Sequence, residues 1–353
     1  MVILNKLNAY YIFTFFTLSS LSFSQSKFDS IFKDSRRPLT HKFKLEFADS
    51  LGNKTYLPVL IIKGKEKGGV FTILAGVHGA EYAPIIAIQD LIKELKPKEL
   101  VGTMILLPIT NIGSFYNKTP YINPLDKKNI NRIFPGEKHG TVSEQNANFI
   151  TTEIIPVSDV FLDIHSGDAN EDLLPFVCYY DNKKYPDKTA ITKELSEYSG
   201  FEYVVSYPYT IKENESAKYA FKQACQDGKI ALSFESGKLG YVQDDAVKRI
   251  KRGFYRIFQK LKMYNYKDSL GLPEIKKLNN QIYIDSEAKG IFFTKLKAGD
   301  KVSSGDILGY VTDEFGKTIN QIISPKTGII LYMKGNPPIN LGERIMCIGY
   351  NEI

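Results

Sequence analysis

The chain has 353 residues, 43% of them hydrophobic, 24% charged and 12% aromatic, with a formal net charge of +7. That length and apolar content support a large core and a second, smaller domain, and exclude a disordered, collagenous or low-complexity chain. Four histidines and three widely spaced cysteines exclude a Cys/His finger or an iron–sulfur cluster, so any metal site must combine few histidines with carboxylates.

Residues 1–24 have the layout of an export signal. Lys6 is their one charge, the run AYYIFTFFTL follows, and Ser22 and Ser24 stand three and one residues before Gln25. The competing reading is an uncleaved anchor, but the run is shorter than the roughly 20 residues a spanning helix needs. No cysteine follows it for a lipid anchor. The expectation is a periplasmic or extracellular protein without a stable membrane anchor. Its lysines are scattered rather than interleaved with aromatics, which argues for a solvated surface and against nucleic-acid binding. Cys178, Cys225 and Cys347 form no C-x-x-C pair, and one long-range bridge between two of them stays open.

From about residue 42, strands and helices alternate. Apolar, β-branched runs predict strands at 56–64, 70–76, 103–109, 160–164 and 230–235. Helical spacing predicts helices at 84–96, from a Ser143 cap to about 154, and at 244–264. The alternation predicts an α/β fold with a mixed, mostly parallel sheet and flanking helices, whose ligands sit beyond strand carboxyl ends. After Pro273 the pattern changes to short strands and glycine turns. The division expected is a signal peptide over 1–24, an α/β domain over 25–272 that carries the site and an all-β domain over 280–353. Within the last, KAGDKVSSGDILGYV echoes PPINLGERIMCIGY, which predicts two similar β-hairpins.

Four polar motifs close the predicted strands or follow them. Gly76-Val77-His78-Gly79-Ala80-Glu81 places a histidine and a carboxylate three residues apart, a pairing that suits zinc. Alone, H-x-x-E is a weak signal. Asp163-Ile164-His165-Ser166-Gly167 ends the run VFLDIH, with Asp163 or Ser166 in position to orient the histidine. A lone histidine there is usually a satisfied core residue, but two of four histidines at matching strand ends argue against chance. Asn131-Arg132 lies in LDKKNINRIFPG, and an arginine fork binds carboxylates in bidentate fashion, although a loop arginine also pairs on surfaces. Glu235 closes IALSFE, where a carboxylate beside a metal can act as general base on metal-bound water; a lone glutamate there is more often an ion-pair partner.

Taken together, H-x-x-E, N-R, D-x-H and E-x-G in this order on an α/β chain resemble the succinylglutamate desuccinylase/aspartoacylase family of zinc carboxypeptidase-like hydrolases. The resemblance covers roughly 42–265 and the β tail. It implies one Zn2+ per chain held by His78, Glu81 and His165, Glu235 as general base, and Asn131 with Arg132 as a clamp for a substrate carboxylate. The implied activity is hydrolysis of an amide in a small N-acylated amino acid. A carboxypeptidase-like enzyme acting on cell-wall or short peptides, and a non-catalytic binding protein that retains the fold, are the rival readings. One departure stands out: no arginine precedes the N-R pair in FYNKTPYINPLDKKNINR, leaving Lys118, Lys127 and Lys128 as the nearby cations. The tail resembles a biotinyl/lipoyl-type barrel. Lys317 in DEFGKT falls near the hairpin that carriers modify but lacks flanking methionines, so a structural or lid role is expected.

Overall fold

The computed structural model describes residue 25, residues 27–212 and residues 215–352. The expected signal at 1–24 lies outside them. Among the described residues no helix is long and apolar enough to cross a membrane. Cys178, Cys225 and Cys347 are all buried and free.

Among the described residues, nine strands form the main sheet. In chain order they begin with β1 (Leu39–Ala48), β2 (Lys54–Lys63), β3 (Glu66–Ala75) and β4 (Val101–Leu107). A small hairpin of β5 (Ile122–Asn123) and β6 (Lys128–Asn129) stands apart from the sheet. Then come β7 (Val160–His165), β9 (Phe176–Asp181), β10 (Tyr203–Pro208), β11 (Ile230–Glu235) and β12 (Lys276–Leu278), while β8 (Glu171–Leu173) lies outside this sheet. The sheet order is β1-β2-β4-β3-β7-β11-β9-β10-β12. Its centre, β4-β3-β7-β11, is parallel, so the ends of β3, β7 and β11 open on one edge.

The pleat separates two cores. Val160, Leu162 and Ile164 of β7, with Leu232 and Phe234 of β11, face the helices Tyr82–Glu94 and Asp244–Lys260. Phe161 and Ala231 point the other way, toward Ala147, Phe149 and Ala224. Because successive side chains alternate, Asp163, His165, Ser233 and Glu235 share this second face. Helix Asp244–Lys260 shows why its sequence is helical: Ala246, Val247, Ile250, Phe254, Ile257 and Phe258 recur at three- and four-residue spacing and are all buried.

Element ends shift by a few residues from those expected, and one cap differs. Thr141, not Ser143, precedes the helix Val142–Phe149, and its N–H donates to Oε2 of Glu144 at 2.8 Å. The T-x-x-E spacing allows that reciprocal contact, which Ser143 lacks. Ser143 instead ties down the β5–β6 loop, its N–H donating to Asp126 Oδ2 at 2.9 Å.

The tail is all β, in two sheets. One contains β13 (Asn280–Asp285), β15 (Lys301–Val302), β18 (Gly328–Lys334) and β20 (Arg344–Tyr350). The other contains β14 (Gly290–Phe293), β16 (Ile307–Thr312), β17 (Thr318–Ile323) and β19 (Pro338–Ile339). The echoed segments are not hairpins. β15 pairs β18 while β16 pairs β14, and β19 pairs β14 while β20 pairs β18, so each segment crosses between sheets. The crossing occurs at Gly305 (φ +93°) and Gly342 (φ +76°), left-handed positions that favour glycine. Each turn is closed alike: Asp306 accepts from the N–H of Ser303 at 2.7 Å, and Glu343 from that of Asn340 at 3.0 Å. Lys317 lies exposed between β16 and β17.

The tail also takes a strand from the α/β part. β8 pairs antiparallel with β18, setting Leu173 opposite Tyr332 and Glu171 opposite Lys334.

Candidate active site

Three strands of the parallel centre, β3, β7 and β11, each deliver one motif to the sheet edge. After β3 the chain turns at Gly76 (φ +65°) and passes Gly79, where an added Cβ would lie 2.4 Å from the carbonyl carbon of Ser114. Only glycine allows that approach. Gly79→Ala is therefore expected to destabilise the fold by about 1–3 kcal/mol, measured by denaturant unfolding.

The turn points His78 and Glu81 toward β7. Glu81 Oε1 lies 2.6 Å from His78 Nδ1, and Oε2 lies 3.0 Å from His165 Nδ1. One ligand atom from each of the three residues fits within a span of 4.8 Å. On the far side of the ring, His165 Nε2 lies 3.1 Å from Asp163 Oδ1, which leaves Nδ1 facing Glu81. Two imidazole nitrogens and one carboxylate, with the second histidine oriented by a buried aspartate, form a donor set that fits zinc.

The charges are tightly coupled. Burial raises the Glu81 pKa, but His78 and His165 outweigh it and bring the carboxyl down to about 2. Burial opposes charging of His165, yet Asp163 and Glu81 hold its pKa well above the usual value. Glu235 sits opposite His165 in the β11–β7 register. Burial pushes its pKa from 4.5 up to about 8; His165 pulls it down, while Glu81 and Asp163 push it further up.

This shift has a consequence for the metal-free protein. The unfolded chain loses the Glu235 proton from about pH 4.5, while the folded chain keeps it to about pH 8. Stability therefore falls as pH rises through that window, by up to about 1.4 kcal/mol per unit from this one group. Glu235→Gln removes the titration. Relative to wild type, the variant should gain on the order of 3 kcal/mol between pH 5 and pH 8, read from metal-free unfolding curves.

His78, Glu81, His165, Asn131, Arg132 and Glu235 all line one cavity of about 420 Å³. Asn131 and Arg132 reach it from the short turn Ile130–Arg132, which Asn129 caps by accepting the N–H of Asn131 at 2.9 Å. Arg132 donates from Nη1 to the Asn131 carbonyl at 2.7 Å, and its guanidinium stacks 5.1 Å from the Tyr219 ring. His139 is exposed and His41 lies 3.6 Å from Asp34; neither lines the cavity. None of Lys118, Lys127 and Lys128 lines it either, and Lys128 pairs with Glu144.

Sequence reasoning left out several wall residues. Tyr121, Asp168 and Glu171 line the cavity from the hydrolase part, and Tyr283, Tyr332 and Arg344 from the tail. The polar run SGDANED directly after His165 was a usable signal for Asp168 and Glu171. Between His165 and Glu235, Tyr180, Tyr207 and Tyr219 line the cavity. Tyr179 alternates onto the opposite core, and Tyr209 packs edge-on against Tyr180.

Comparison with known proteins agrees with this architecture. Residues 67–261, more than half of the chain, match the succinylglutamate desuccinylase/aspartoacylase catalytic domain. An N-alpha-acetyl-L-2,4-diaminobutyric acid deacetylase of Halomonas elongata is 26% identical over 316 residues, spanning 87% of this chain and 89% of the relative. A solved succinylglutamate desuccinylase/aspartoacylase from Rhodobacter sphaeroides has a TM-score of 0.80 at 22% identity, covering 91% of this chain and 98% of that one. The product-bound ectoine utilization protein EutE (DoeB) from Ruegeria pomeroyi has a TM-score of 0.79 at 22% identity, covering 90% and 97%. With its catalytic region matched and its sheet shared with these structures, the chain belongs to the succinylglutamate desuccinylase/aspartoacylase family.

Proposed function

We propose that this protein is an exported, zinc-dependent deacylase that hydrolyses the amide bond of a small N-acylated amino acid. Its family is one of deacylases acting on N-acyl amino acids. The observation that carries the finer reading is the convergence of His78, Glu81 and His165 on one cavity that Glu235 also lines. Three protein ligands leave a position open, and zinc held there would supply Lewis acidity that polarises the amide carbonyl and lowers the pKa of water toward about 7.

The chain's own residues supply the rest. Glu235 takes the proton of the attacking water and passes it to the departing amine. Asp163 keeps the His165 ring in its ligating orientation. The Arg132 fork receives the substrate carboxylate. In this reading 25–272 is the hydrolase part and 280–353 a second domain whose Tyr283 and Tyr332 enclose the cavity. That enclosure favours small substrates over peptides.

Purified protein should contain about one zinc per chain and release amine from N-acyl amino acids faster than from wall peptides. A folded, metal-free protein that stays active would overturn the reading. Arg132→Ala should raise KM about 10- to 100-fold for substrates with a free carboxylate, leaving kcat nearly constant. The same substrates as carboxamides should show no such change. Export is tested by the mature amino terminus, expected at Gln25 in the secreted or periplasmic protein.

A further inference from the structure

The two histidines of the donor set are held in different ways. His165 has a direct brace, because Asp163 Oδ1 lies 3.1 Å from its Nε2 and the ring cannot turn without breaking that contact. His78 has no such brace. Its Nδ1 faces Glu81 Oε1 at 2.6 Å, while its Nε2 is buried and has no hydrogen-bond partner among the described residues. Glu81 belongs to the donor set itself, so it is not an independent anchor for the ring.

The neighbour placed to fix the His78 ring is Tyr121. Its ring stands edge-on to the imidazole, with 83° between the planes and 5.7 Å between the centroids, a favoured aromatic geometry. Tyr121 is itself anchored on several sides. The carbonyl of Pro120, just before it, accepts the N–H of Gly79, just after His78, at 2.9 Å. Thr119 Oγ1 donates to the Ile122 carbonyl at 2.5 Å, and Ser114 Oγ donates to the Thr119 carbonyl at 2.7 Å, so the turn that carries Tyr121 is closed. Its phenol is hydrogen-bonded to Asp168; burial and the Asp168 charge raise the phenol pKa, so the O–H remains a donor. Asp168 is 4% exposed, and its Oδ1 accepts the N–H of Asn170 at 2.7 Å. It stands three residues after His165. β7 and the loop beyond it thus carry an aspartate on each side of His165: Asp163 meets His165 directly, and Asp168 reaches His78 through Tyr121.

We propose that Tyr121 is a positioning residue: its ring, tethered by Asp168, holds the His78 imidazole in its metal-binding orientation. The assignment rests on the zinc reading of the site. Tyr121 does for His78 by contact what a carboxylate does for His165 by hydrogen bonding. Without the Tyr121 ring, His78 turns among several rotamers and only a fraction of molecules present a complete donor set. Apparent metal affinity falls by that fraction.

Two measurements on the full chain test it. The first is zinc affinity, read by competition with a chromophoric chelator. Tyr121→Ala should bind zinc about 10- to 100-fold more weakly than wild type. Tyr121→Phe keeps the ring and loses only the tether, so its loss should be smaller, about three- to tenfold. Asp168→Ala cuts the same tether and should match Tyr121→Phe, with no further loss when the two are combined. The second is NMR of the metal-free protein, whose four histidines give few imidazole signals. Wild type should show cross-peaks between the Tyr121 and His78 rings and one sharp His78 signal set. Tyr121→Ala should broaden or split the His78 signals while those of His165 stay single. If wild type binds zinc and Tyr121→Ala binds it as tightly, the positioning role is overturned and the zinc site stands. If wild type binds no zinc, the zinc reading falls and the spectra decide the bracing alone: broadened His78 signals in Tyr121→Ala support it, and sharp ones overturn it. Should Tyr121→Ala fail to fold, wild-type affinity in both Tyr121→Phe and Asp168→Ala overturns the proposal.

Discussion

Glu235→Gln should lower kcat by about two to four orders of magnitude while the protein keeps about one zinc per chain. Gln matches Glu in shape, so packing at the end of β11 is retained, but the amide neither takes nor returns a proton. The substitution should spare metal binding because Glu235 is not one of the three groups within the 4.8 Å donor span. With Arg132 and the cavity walls proposed to hold the ground-state substrate, KM should change little. Steady-state kinetics beside metal analysis of the same preparation check both halves. Full turnover in the variant would place the base elsewhere; loss of zinc would make Glu235 part of the ligand set.

Glu81→Gln should have the opposite profile, losing the metal first and activity with it. The Glu81 carboxylate contacts both histidines, at 2.6 and 3.0 Å, and it is the sole anion of the donor set. Its removal takes away a ligand oxygen and the charge that draws a divalent cation. Metal content should drop below about a tenth of an ion per chain and kcat/KM by at least about a thousandfold, a larger loss than the 10- to 100-fold typical of outer-shell partners. Wild type should melt several degrees higher with saturating zinc than after chelation, because a ligand bound only by the folded state stabilises it. The variant should show almost no such response. A variant that still binds zinc and melts like wild type would remove Glu81 from the site.

Much of this architecture could be read from the residues. β3, β7 and β11 were legible because each is an apolar run buried on both faces and closed by a polar motif, and burial on both faces is what a central parallel strand requires. His78, Glu81, His165 and Glu235 were legible as a set, because polar motifs recur where those apolar runs stop even though each motif alone has a structural explanation. β8 was not. Glu-Asp-Leu carries no strand pattern, and its conformation is set by pairing with β18, far along the chain. The choice of Tyr180 over Tyr179 required knowing which face of β9 meets the cavity. The repeated turns around Gly305 and Gly342 looked like hairpins because a glycine turn reads alike whether the chain returns to its own sheet or leaves for another.

The pairing of β8 with β18 bears on how this protein can evolve. The connection that follows the His165 strand is finished only by a strand from the far end of the polypeptide, and that shared ladder carries Glu171 and Lys334. The two parts are therefore not separable modules. A gene that lost its 3′ end, or exchanged it for another barrel, would leave β8 as an unpaired edge and take the roof off the cavity. The tail thus supplies both the partner of β8 and the part of the cavity wall made by Tyr283, Tyr332 and Arg344.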